Sequence, residues 1–191
     1  MTKRVFIVHG WSGYPEEGWF PWLKAELEKH GFSVYVPQLP DAGTPRKELW
    51  VPALASAVGV ADGDTYFVGH SMGCQTIARY LETLPDGVHV GGAVFVAGFF
   101  TRLTGLDESE MEIAAPWLNT PIDFRKVRSH IGSAVAFFSD NDPYVPLENK
   151  GVYDSTLGCK VIVEHNKGHF SGSEGVMEVP GVLSELLHIS K

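Results

Sequence analysis

The sequence predicts a three-layer α/β/α sandwich built on an all-parallel sheet. Three observations lead there. Six short runs rich in β-branched residues are continuously apolar, as strands are when helices cover both faces of a sheet. The segments between them carry helical stripes or helix start and stop residues. Strands and helices alternate, giving βαβ units, which cross right-handed.

The first strand is read at Arg4–His9, followed by a helix over Pro21–His30 with Leu23 and Leu27 on one face and Gly31 as its stop. Ser33–Pro37 is the second strand. Thr44 and Pro45 read as the cap and first residue of the next helix, and Pro52 inside it predicts a kink or a restart. Thr65–His70 is the third strand. The helix over Ser71–Leu84 places Ile77, Ala78, Leu81 and Leu84 on one side. Gly92–Ala97 is the fourth strand. Residues Phe99 to Thr120 fit no simple crossover. Their acidic stretch Asp107, Glu108, Glu110, Glu112 reads as a solvated loop or helix face, although Leu103, Leu106, Met111 and Trp117 would suit a short cap over a site. Thr120, Pro121 and Asp123 look like the cap, first residue and acidic third residue of a helix at Phe124–His130. Ala134–Ser139 and Lys160–Glu164 complete the strands. A last helix starts near Pro180, with Val182, Leu183, Leu186 and Leu187 as its stripe.

Length and composition narrow the class. A chain of 191 residues, 44% hydrophobic and 20% charged, is an ordinary globular composition, and 1–191 is read as a single domain. The formal net charge is −8, and no basic cluster offsets it, so neither nucleic acid nor an anionic membrane surface is an expected partner. The longest apolar stretch, Gly91 to Phe100, is far below a membrane span, and the run Val5 to Val8 is too short for a signal-peptide core. Two cysteines, Cys74 and Cys159, make no disulfide framework, and a reduced, cytoplasmic setting is the simplest expectation.

The chemistry is carried by Gly69-His70-Ser71-Met72-Gly73, a G-x-S-x-G set between a strand and a helix. In such an elbow the serine is lifted above the carboxyl edge of the sheet, at a helix N-terminus that favours negative charge. A serine nucleophile needs a base, and the base an orienting acid. Two aspartates follow the fifth strand, and Asp142 is preferred over Asp140 because Pro143 and Pro146 make its turn rigid. His169, behind Gly168 and after the last strand, is preferred over His165. The expected oxyanion donors are the backbone N–H groups of Met72 and Trp11. Trp19, His70 and Phe170 are read as substrate-pocket residues. Cys74, one turn after Ser71, reads as a small packing residue.

His9-Gly10-x-x-Gly13, the elbow at Ser71, Asp142-Pro143-x-Val145-Pro146 and Gly168-His169 together resemble the α/β-hydrolase superfamily. Trp19-Phe20-Pro21-Trp22-Leu23, the Pro45-Arg46…Trp50 stretch and Gly168-His169-Phe170 make the chain similar to the small retinoblastoma-binding serine hydrolase family and its bacterial YdeN-like members. The resemblance spans nearly the whole chain. It implies a compact α/β-hydrolase fold without a large cap, a sheet of order 2-1-3-4-5-6, and a triad of Ser71, Asp142 and His169. The expected activity is hydrolysis of small acyl esters, with no metal or organic cofactor. Amide or aminopeptidase-type cleavage on the same triad is the alternative, and a protein-binding module retaining the fold is the reading from another class.

Overall fold

A computed structural model describes residues 2–191. Six strands, β1 (Arg4–Val8), β2 (Ser33–Tyr35), β3 (Thr65–His70), β4 (Val90–Val96), β5 (Ile131–Ser139) and β6 (Lys160–Glu164), form one sheet of order β2-β1-β3-β4-β5-β6. Every pairing is parallel; Val5 lies opposite Val34 and Tyr66, and Phe95 opposite Gly69 and Ala136. The order reverses beside β1 and β3, which opens the crevice where α/β sheets bind ligands.

Each strand feeds two cores because successive side chains point to opposite faces. Val5, Ile7, Val68 and Val94 pack under α1 (Phe20–Lys29) and a C-terminal helix over Pro180–Ile189. Phe6, Val8, Phe67 and Phe95 pack under α2 (Lys47–Val58) and α3 (Met72–Thr83). Between β4 and β5 come α4 (Glu108–Asn119) and α5 (Phe124–Ser129), and the C-terminal helix is α6. Those layers are the sandwich the apolar runs predict.

Several local expectations change. α2 starts at Lys47 with Arg46 in the capping position, and not at Pro45, whose carbonyl accepts the Trp117 indole N–H at 3.0 Å. α2 runs unbroken through Pro52, so the helix does not restart there. The proline ring is exposed, and the carbonyl it leaves unbonded within the helix belongs to exposed Glu48 near the first turn. Asp123, not Thr120, caps α5, accepting from Arg125 N and Lys126 N, while Thr120 closes α4. β5 begins at Ile131 rather than Ala134.

In the 99–120 segment Leu103 and Leu106 line the crevice, whereas Met111 is exposed and Trp117 is buried in the core. α4 is opened by a capping box in which Asp107 accepts from Glu110 N and Glu110 accepts from Asp107 N, each at 2.9 Å. Its outer side is solvated, whereas Ala114 and Trp117 are buried and Ile113 turns toward the crevice. Arg79 of α3 anchors its end, donating to Trp117 O at 2.7 Å and Thr120 O at 2.9 Å. Among the described residues no helix is long and apolar enough to cross a membrane.

Candidate active site

Ser71 stands between β3 and α3 with φ 52° and ψ −119°, a strained conformation for a residue bearing a side chain. The surrounding structure holds it there. Ser71 N donates to Val96 O at 2.9 Å, and Cys74 N donates back to Ser71 O at 3.0 Å. The elbow glycines are there for close approach: a Cβ on Gly73 would lie 2.1 Å from Val8 O, and one on Gly69 would lie 2.7 Å from Ile77 Cδ1. Strand and helix thus pass close enough to leave only the hydroxyl facing the crevice.

His169 Nε2 lies 2.8 Å from Ser71 Oγ, and His169 Nδ1 lies 2.8 Å from Asp142 Oδ2. The structure therefore brings Ser71, His169 and Asp142 into one hydrogen-bonded line. Asp142 is only 1% exposed at its side chain, and its other oxygen accepts from Tyr144 N at 2.8 Å and Val145 N at 3.0 Å. A carboxylate so bonded is fixed in place without a cation beside it. The competing pair separates from this line: Asp140 bonds exposed His165 and Asn166 N on the outside of the same edge.

His169 is also gripped by its backbone. His70 Nε2 bonds His169 O at 2.7 Å, and Glu174 Oε2 accepts from His169 N at 2.7 Å. Glu174 reaches there by folding under Gly168, where a Cβ would sit 2.1 Å from its Oε1. Burial, then the nearby His169, push the His70 pKa down to about 3, so its ring stays neutral. The loops after β5 and β6 are laced as well: Ser139 Oγ accepts from Lys167 N at 2.9 Å and Asn141 Oδ1 from Gly168 N at 2.8 Å.

On the opposite side Gly10 abuts the serine, since a Cβ there would lie 2.9 Å from Ser71 Cβ. His9 is buried, accepts from Leu39 N at 2.9 Å through Nε2, and so donates from Nδ1 to Gly10 O at 2.8 Å. Because that peptide is trans, the Trp11 N–H on the same unit points the other way. Among the described residues neither Trp11 N nor Met72 N is engaged in another hydrogen bond.

A cavity of about 470 Å³ opens above Ser71. Trp11, Met72 and His70 line it. Trp19 and Phe170 do not: both are 1% exposed and belong to the core, where Trp19 Nε1 donates to Phe170 O at 2.9 Å. They hold up the wall from behind, because flat apolar rings gain more from packing under β1 and β3 than from facing a wet crevice. Leu103, Leu106 and Ile113 face the cavity instead, with Glu17 and Glu110. Of the residues the sequence reading missed, Glu174 is signalled by its S-x-x-E spacing from Ser171. Nothing in the sequence flags Glu17 or Asn141. Among the described residues no group of three or more His, Cys, Asp or Glu is placed to hold a metal ion.

An all-parallel sheet of this order, with a strained serine elbow at its carboxyl edge, defines an α/β hydrolase. The comparisons with known proteins agree on the class. The chain belongs to the serine hydrolase family, whose model matches residues 5–188. It is 30% identical over 187 residues to YdeN of Bacillus subtilis strain 168, covering 97% of this chain and 95% of that protein. It is 27% identical over 175 residues to the serine hydrolase RBBP9 of Rattus norvegicus, covering 91% and 89%. The crystal structure of the B. subtilis ydeN gene product has a TM-score of 0.91 at 28% identity, covering 98% of each chain. Est1E from Butyrivibrio proteoclasticus shares the fold at a TM-score of 0.73 and 14% identity, covering 98% of this chain and 88% of that one.

Proposed function

We propose that the chain is a serine esterase that cleaves small acyl esters through an acyl-enzyme on Ser71. The observation that carries this reading is the line Ser71 Oγ, His169 Nε2, His169 Nδ1, Asp142 Oδ2, with both contacts at 2.8 Å. Ser71 Oγ attacks the ester carbonyl while His169 Nε2 takes its proton. Asp142 holds Nδ1–H, which fixes the tautomer and stabilises the imidazolium. The N–H groups of Met72 and Trp11 take the charge of the tetrahedral oxyanion. His169 then protonates the leaving alkoxide, and water activated by the same imidazole releases the acid. The chemistry needs no cofactor, and the substrate is a small molecule. The buried free thiols of Cys74 and Cys159 support a reducing, cytoplasmic setting.

The test is labelling with a fluorophosphonate followed by peptide mapping, then assay on short p-nitrophenyl esters and aminoacyl anilides. Modification of Ser71, lost in Ser71→Ala and slowed in His169→Ala, with ester turnover above anilide turnover, is the expected result. A folded protein that neither labels nor turns over an ester overturns the reading, and faster anilide cleavage replaces it with an amidase.

A further inference from the structure

The cavity lining is part apolar and part polar, and near His169 it carries a carboxylate with no ion-pair partner among the described residues. Leu103, Leu106 and Ile113, from the segment before and within α4, make an apolar wall. The same lining carries Ser12, Glu17, Ser171 and Ser173, from the loops after β1 and β6. These two loops are fastened together: the Trp19 indole bonds Phe170 O, and a Cβ on Gly172 would lie 2.8 Å from Gly18 Cα. Glu17 is thereby held on the His169 side of the serine, near enough for the two charges to interact.

Glu17 has no salt-bridge partner among the described residues, and no lysine or arginine lines the cavity. It is partly buried, and burial raises its pKa, opposed by His169 and the Tyr14 backbone N–H. A half-desolvated carboxylate gains from a cation arriving with the substrate. Glu110, the other acid of the lining, is already committed to the α4 capping box.

Chemistry orients the ester. The leaving alkoxide takes its proton from His169 Nε2, so the alcohol half of an ester must lie toward the base. We infer that Glu17 selects esters whose alcohol half carries a cationic amine. The inference rests on the serine esterase reading and adds a substrate class to it.

The test compares butyrylcholine with 3,3-dimethylbutyl butyrate, the same shape without the charge. In the wild type the ratio of kcat/KM, cationic over neutral, is expected to be about tenfold, carried mainly by KM. It should shrink as ionic strength rises. Glu17→Gln should bring the ratio to about one and Glu17→Lys should invert it, with fluorophosphonate labelling reporting a folded site in each. A role confined to tuning His169 would change both esters alike and leave the ratio intact, which overturns the inference. So does a wild-type ratio near one, or a charge preference seen only with an ester bearing the ammonium on its acyl half. If no ester is cleaved and Ser71 does not label, the esterase reading itself has failed. Hydrolysis without discrimination sinks the Glu17 inference alone.

Discussion

His9 donates from Nδ1 to the carbonyl oxygen of Gly10 at 2.8 Å, and with Gly13 N, which donates to the same oxygen at 3.1 Å, it holds the Gly10–Trp11 peptide so that its N–H points away from His9. His9 is not itself among the residues that line the cavity. Its effect on the reaction passes through a backbone group that substitution cannot remove directly.

Replacing His9 with phenylalanine should therefore act as the loss of an oxyanion donor. The expected outcome is a fall in kcat of about 100-fold with little change in KM for a small ester, in line with the loss of one such donor. Steady-state kinetics checks it. A KM effect without a kcat effect would show that the peptide does not serve the oxyanion.

The buried histidines make the fold acid-sensitive. His70 is held neutral down to about pH 3, chiefly by burial, and burial lowers His9 in the same direction. An unfolded imidazole binds a proton below about 6.5, so between about 6.5 and 3 the unfolded state holds more protons than the native one. Stability must fall as pH falls through that window, by up to about 1.4 kcal/mol per pH unit for His70, and His9 acts in the same direction. Urea unfolding at pH 7, 6 and 5 measures the slope, and His70→Asn should flatten it. An unchanged slope would remove His70 from the account.

Asp142→Asn keeps the acceptor for Tyr144 N and Val145 N but presents an amide N–H to His169 Nδ1. The imidazole must then take the other tautomer, with its proton on the nitrogen facing Ser71. A loss of about 10³–10⁴ in kcat is expected, with a melting temperature within a few degrees of wild type. A simultaneous collapse of stability would point instead to a structural carboxylate.

Two glycines should answer oppositely to alanine. On Gly73 the new methyl would meet Val8 O at 2.1 Å, a backbone atom that cannot step aside. A loss of at least about 3 kcal/mol, or no folded protein, is expected. Around Gly63 nothing lies within 4 Å, so alanine there should be neutral or stabilise by up to about 1 kcal/mol. Chemical denaturation of the two variants side by side decides it.

The sheet was legible because its strands are largely apolar on both faces, and Thr65–His70 is buried at every position. Ser71, Asp142 and His169 were legible because each leaves the carboxyl end of a strand. What escaped is what depends on a distant partner. Pro45 reads locally as a helix start, yet its carbonyl is taken by Trp117 from seventy-two residues away. Trp19 reads as a pocket wall because it sits beside the active edge, and only the packing of α1 shows that its ring turns inward. Glu17 carries no spacing signal, since its neighbour His169 lies at the other end of the chain.

His169, the proposed base, stands just beyond β6, an edge strand of five residues paired only to β5 and largely open on its outer side. Freeing an edge strand takes less than melting a sheet, and here it is enough to part His169 from Ser71. On warming, turnover should thus fade before the sheet's circular dichroism does. The working lifetime of the catalyst is set at that margin, and a variant reinforced only beneath α3 would melt later without lasting longer.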